Sequence, residues 1–153
     1  NTFSVKFRRA DLYHFVFDEP FRTELHYVTC YQHDMHSFRV TLYSNFNPCT
    51  DGYYCTVEVL RDFDEPSVDT EIVVKELEKM GLCQGGIVHQ HQQQLNTGFP
   101  VRSVEFIEAQ QSIRKAITMA CPEVLMLGKN NTNSFFMKDV IHDTISIINS
   151  GVI

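Results

Sequence analysis

The sequence has no run of the ~18 or more apolar residues that a membrane-spanning helix needs. Its first twenty residues alternate polar with apolar and lack the apolar centre of a secretory signal. The five cysteines, Cys30, Cys49, Cys55, Cys83 and Cys121, include no C-x-x-C pair. They are odd in number and too sparse for a disulfide scaffold. Cys30 and Cys55 fall inside apolar strand patterns, where a thiol behaves as a small hydrophobe. A reducing, cytoplasmic compartment is the expectation, and the sequon Asn130-Asn131-Thr132 carries weight only in a secreted chain. Positive charge is scarce: 13 Lys and Arg stand against 19 acids, for a net charge of -6. That balance argues against a dominant nucleic-acid footprint, which needs clustered cations to displace counterions.

Familiar catalytic signatures are missing too. There is no G-x-S-x-G nucleophile elbow. Gly128-Lys129-Asn130 has the ending of a phosphate-binding loop, but Glu123 stands where the earlier glycine belongs and Asn130 where the magnesium-binding hydroxyl belongs. Of the seven histidines, His33 and His36 cluster in one turn and His89 and His91 in another stretch. Two histidines supply half a zinc site, so no metal and no other cofactor is expected.

What remains is a chain of 153 residues, 43% hydrophobic and 12% aromatic, enough for a sizeable core. It opens on Asn1 rather than Met and reads as a piece of something longer. The first sixty residues follow a period of two. Phe3, Val5 and Phe7 alternate, Arg8 to Asp11 interrupts, and Tyr13, Phe15 and Phe17 resume. Leu25 to Tyr31, Phe38 to Leu42 and Tyr53 to Val59 give further strands, with Gln32–His36 and Asn45–Gly52 as turns.

The period then lengthens. Ile72, Val73, Leu77 and Met80 stripe a helix, with Ser67 or Asp69 as its cap and Gly81 at its left-handed end. The Gly-, Gln- and His-rich stretch 84–99 has little to bury and reads as a linker. Phe106 to Ala120 is a second helix stopped by Pro122, Val124–Leu127 a short buried strand, and Phe136 to Ile148 a last helix.

Asp62, Asp64, Glu65, Asp69 and Glu71 could do acid–base work if they faced a cleft, although acids also favour a helix N-terminus. Tyr31, Phe38, Tyr43, Tyr53 and Tyr54 are candidate binding residues, since aromatics anchor hot spots. Phe136, Val140, Ile141, Ile145 and Ile148 form the stripe that could mediate self-association.

Two stretches carry a resemblance. Phe38-Arg39-Val40-Thr41-Leu42-Tyr43, then Tyr54-Cys55-Thr56-Val57-Glu58-Val59, then Val73 to Leu82 resemble the closing half of an extended Tudor domain, a staphylococcal-nuclease-like, OB-type barrel. Cys121 to Lys129 and the helix after it are similar to the leader of the helicase core in germline proteins that combine Tudor and DEAD-box-like domains. The resemblance implies a cytoplasmic-granule factor of the piRNA pathway. It assigns no methylarginine-cage or nuclease residue to this chain.

The expectation is therefore an α+β chain: a small antiparallel β-barrel or meander over 1–83 with a packing helix, a linker over 84–99, and a two-helix extension over 100–153. Its expected function is non-catalytic assembly in RNA silencing. Its partner would be a protein or peptide, itself included, with RNA reached only through a larger parent protein and no membrane. Two alternatives follow. One is a small ligand-binding or enzymatic barrel using the acids at 62–71 with His33 or His36. The other is a single-strand binder using Arg8, Arg9, Arg22 and Arg39 with nearby tyrosines.

Overall fold

The computed structural model describes residues 6–47, 52–128 and 137–150. The chain divides into two units, one running Lys6–Pro100 and the other taking in the chain from Val101 onward.

The first unit holds β1 (Phe7–Phe17), β2 (Tyr27–Thr29), β3 (Ser37–Leu42), the single turn α1 (Tyr43–Phe46), β4 (Tyr53–Arg61), α2 (Thr70–Met80) and β5 (Ile87–Pro100). All strand pairs are antiparallel, in the order β2-β3-β4-β1-β5. The α+β class is as the sequence suggests, but the expected barrel does not close. The sheet is open, with the short β2 and the long β5 as its edges.

Alternation sends Tyr13, Phe15, Phe17, Val40, Leu42, Cys55, Val57 and Val59 into one cluster, which Val73 and Leu77 of α2 complete. Full burial of each such aliphatic side chain stabilises the fold by roughly 1.5–3 kcal/mol. Helix α2 forms where its stripe and caps predict. The Asp69 carboxylate accepts from the Glu71 N–H at 2.9 Å, and Gly81 ends the helix at φ 66°, a conformation that costs a Cβ-bearing residue energy. Ile72 lies beside the buried stripe and is exposed.

Three elements differ from expectation. β1 runs unbroken through Arg8–Asp11, because the Asp11 charge is paired within the fold. The stretch read as a linker is largely β5, a 14-residue strand with ten successive exposed residues. A backbone ladder needs no apolar side chains, and β5 supplies partners for one edge of β1, from Ala10 opposite Leu95 to Val16 opposite His89. The ladder is irregular between Arg8 and Ala10, where a Cβ on Gly98 would come within 2.9 Å of the Ala10 Cβ. Finally, Val124–Leu127 is irregular rather than a strand.

The second unit contains α3 (Val104–Ala120), capped by the Ser103 hydroxyl at 3.2 Å from the Phe106 N–H, and α4 (Met137–Asn149). Neither helix has a fully buried residue. Among the described residues no helix is long and apolar enough to cross a membrane.

Candidate functional site

The face of the sheet opposite the core is polar, and register decides which residues share it. His14 stands opposite Thr56 on β4 and His91 on β5, Leu12 opposite Glu58 and Gln93, and Val16 opposite Tyr54 and His89. Arg39 and Thr41 of β3 stand opposite Glu58 and Thr56, and Tyr27 and Thr29 of β2 continue the rows. Directly opposed residues project from the same face. One surface therefore collects Tyr27, Arg39, Thr41, Tyr54, Thr56, Glu58, His14, His89 and His91.

Two interactions organise it. The Arg39 Nε and Nη2 both donate to Glu58 Oε1, at 2.9 and 2.6 Å. A guanidinium has five N–H donors, so three still point elsewhere, and this side chain is 44% exposed. At the other end, His14 Nδ1 lies 2.8 Å from Thr56 Oγ1, and its ring stacks on His91 with centroids 6.0 Å apart and planes 15° apart. Burial and the neighbouring His91 push His14 below the ordinary histidine value of 6.5, against a hydrogen bond with Gln93 that raises it. His14 is thus a neutral imidazole at pH 7, able to accept a proton or a hydrogen bond. In an NMR pH series its ring is expected to titrate below 6.5, and His91→Gln is expected to move the midpoint upward. An unmoved midpoint would show that His91 exerts no pull on it.

The residues singled out from sequence are dispersed. Tyr54 is partly exposed on the polar face. Tyr53 turns to the core side, edge-on to Phe21 with centroids 6.2 Å apart. Tyr31 is exposed between β2 and β3, Phe38 half-buried in β3, and Tyr43 starts α1. Phe136 lies outside the described residues, as do Lys129 and Asn130. Val140 is half-buried, and Ile141, Ile145 and Ile148 are exposed along α4.

The acids at 62–71 serve local structure. Asp62 pairs with Arg8 at 3.2 Å, Glu65 Oε2 accepts from the Asp62 N–H at 2.9 Å, and Asp69 caps α2. Among the described residues no hydrogen bond or ion pair joins this run to His33 or His36. His36 instead meets Glu76, which the sequence reading passed over. The four arginines offered for nucleic acid are also engaged: Arg8 with Asp62, Arg9 over the Phe63 ring at 4.2 Å, Arg22 with Gln84 at 3.2 Å, and Arg39 with Glu58.

The polar face itself escaped the sequence reading. Its signal was present in the alternations Leu12-His14-Val16 and Tyr54-Thr56-Glu58, but assigning 84–99 to a linker hid the histidines that complete it. A separate groove of about 700 Å³ in the second unit is lined by Arg114, Lys115, Met119, Leu125, Ile147 and neighbours. Among the described residues its lining includes no acid, histidine or cysteine.

No protein-family model matches the chain, and no curated protein sequence does. The fold does match solved structures. Reduced UDP-galactopyranose mutase is similar with a TM-score of 0.65 at 10% identity, over 77% of this chain and 27% of that one. A protein described as a protoporphyrinogen oxidase from Exiguobacterium sp. 255-15 is similar with a TM-score of 0.61 at 15% identity, over 97% of this chain and 35% of that one. At such identities the likeness is one of fold. The chain spans between a quarter and about a third of the length of these proteins.

These matches correct the Tudor resemblance, because neither structure is a Tudor or staphylococcal-nuclease domain. The strand-helix-glycine ending that suggested one, Tyr54–Val59 followed by Val73–Leu82, here belongs to an open sheet. The expected non-catalytic piRNA assembly module falls with it, since both matched structures are enzymes. The enzymatic alternative fares better as a class, though not through the acids at 62–71.

Proposed function

We propose that this chain forms part of a larger enzyme of redox type, and that its polar sheet face receives a bulky anionic substrate. The observation that carries this reading is the fold likeness to parts of two enzymes, a mutase in its reduced form and an oxidase. Their named substrates share a chemical character: UDP-galactopyranose carries a diphosphate, and protoporphyrinogen carries carboxylates on a large ring system.

The polar face suits such a molecule. The free N–H groups of Arg39 can meet a phosphate or carboxylate oxygen pair, and Glu58 holds the guanidinium plane in place. Tyr27 and Tyr54 offer aromatic surface beside it. Neutral His14, steadied by Thr56, can accept a hydrogen bond from a substrate hydroxyl or ring N–H. The redox chemistry belongs to the larger enzyme, while these residues bind and orient.

The test is titration of the 15N-labelled chain with UDP and, separately, with protoporphyrin IX, read by NMR shift perturbation. Shifts centred on Arg39, Thr41, Tyr54 and Thr56 are expected with at least one of them. Arg39→Ala is expected to weaken that binding about 10- to 150-fold, the equivalent of one charge-assisted hydrogen bond of roughly 1.5–3 kcal/mol. Shifts confined to other surfaces, or affinity indifferent to Arg39→Ala, would defeat the assignment.

A further inference from the structure

Three histidines meet on the sheet face through register alone. His89 and His91 are two apart on β5 and project from the same side, while His14 of β1 stands directly opposite His91 and diagonal to His89. Residues two apart on a strand are separated by about 6.6–6.8 Å. Opposed Cβ atoms lie about 4.5–5.5 Å apart and diagonal neighbours about 7–8 Å. The three Cβ atoms thus mark a compact triangle from which imidazole rings can lean inward onto one point. The ladder is regular throughout this stretch, from Ala10 opposite Leu95 to Val16 opposite His89.

We propose that His14, His89 and His91 form a binding site for a divalent transition metal such as Zn²⁺, with three imidazole ligands and a water completing the tetrahedron. Three histidines and one open position are a ligand set that zinc accepts, and imidazole suits zinc, copper and nickel over magnesium or calcium. The site has the support that ligating histidines usually need. Thr56 Oγ1, 2.8 Å from His14 Nδ1, anchors that ring and leaves its Nε2 for the metal. β5 carries no charged residue that would repel a cation.

Among the described residues no three His, Cys, Asp or Glu side chains are already gathered as a metal site. His14 and His91 are stacked 6.0 Å apart. Formation of the site requires His89 and His91 to change rotamer, and both are exposed on an edge strand. The proposal stands on strand register and not on the substrate reading above; a metal held by His14 Nε2 takes the place of the hydrogen bond assigned to that ring there.

Its test uses the chain without any histidine tag, titrated with Co²⁺ and followed by visible ligand-field absorption, then with Zn²⁺ by calorimetry. One equivalent is expected to bind with a tetrahedral cobalt spectrum. His89→Ala and His91→Ala should each weaken binding by at least about 100-fold, and Thr56→Val by about 10- to 100-fold. His33→Ala should leave it unchanged. Both β5 substitutions fall on exposed side chains, and circular dichroism of each variant is the check that it remains folded. Absence of one-to-one binding, or affinity that survives His89→Ala and His91→Ala, would overturn the proposal. So would binding that depends on His33.

Discussion

Replacing Asp11 by alanine is expected to lower the unfolding free energy by about 3–5 kcal/mol, the usual cost of orphaning one member of a buried ion pair. Asp11 is fully buried, and Arg61 is 5% exposed. The guanidinium addresses both carboxylate oxygens, Nε to Oδ2 at 2.6 Å and Nη2 to Oδ1 at 3.1 Å. It also donates to Ser67 Oγ at 3.0 Å and to the Glu65 carbonyl. One side chain thereby ties β1 and β4 to the turn that leads into α2. Taking away the carboxylate strands that charge against the core. Urea denaturation measures the loss, and the double variant Asp11→Leu/Arg61→Met should lose less than Asp11→Ala alone. A single-variant cost below about 1 kcal/mol would mean that the guanidinium finds water, as exposed pairs do.

Glu76→Ala is the second large effect, about 3 kcal/mol at pH 7. This nearly buried carboxylate accepts from the His36 and Ser37 N–H groups at 2.8 Å each, from the Ser37 hydroxyl at 2.5 Å, and faces His36 Nδ1 at 2.9 Å. Hydrogen bonds to a charged acceptor contribute roughly 1.5–3 kcal/mol each, and less than their sum when shared on one group. Burial alone would raise the Glu76 pKa, but the hydrogen bonds outweigh it and hold the group below its ordinary 4.5. A depressed carboxylate adds stability that is complete above the unfolded value and is lost as pH falls through the folded one. Stability of the native chain should therefore decline on acidification below about 4.5, and Glu76→Gln should flatten that part of the profile. A variant whose acid limb matches the native one would refute the role.

These two clusters show what was legible from sequence and what was not. Helix α2 could be read because its signals are local: the stripe Val73-Leu77, the cap Asp69 and the terminator Gly81 all lie within thirteen residues. The strands were recognisable for the same reason. Glu76 looked like one more polar residue on that helix, since its partners lie 39 and 40 positions away. Asp11, whose partner Arg61 lies 50 positions away, closed the Arg8–Asp11 stretch that seemed to interrupt β1, a strand whose continuity the pair secures. β5 failed the compositional test for burial because an edge strand can be held by its backbone. The polar face is a product of register, and register between distant strands is written in no single segment. The Tudor reading erred in the same way, taking a local succession of strand, helix and glycine for a global topology.

The place of β1 in the sheet has a consequence for how the chain is made. Of the strands in this sheet it is made first, yet it ends at the interior, between β4, which closes at Arg61, and β5, which closes at Pro100. One long edge of this eleven-residue strand lacks its final neighbour until β4 closes at Arg61, and the other until β5 closes at Pro100. At about 5–20 residues per second that interval lasts several seconds, during which exposed strand edges are open to the wrong partner. Translation speed and chaperone cover across this window are therefore expected to bear on the yield of folded protein.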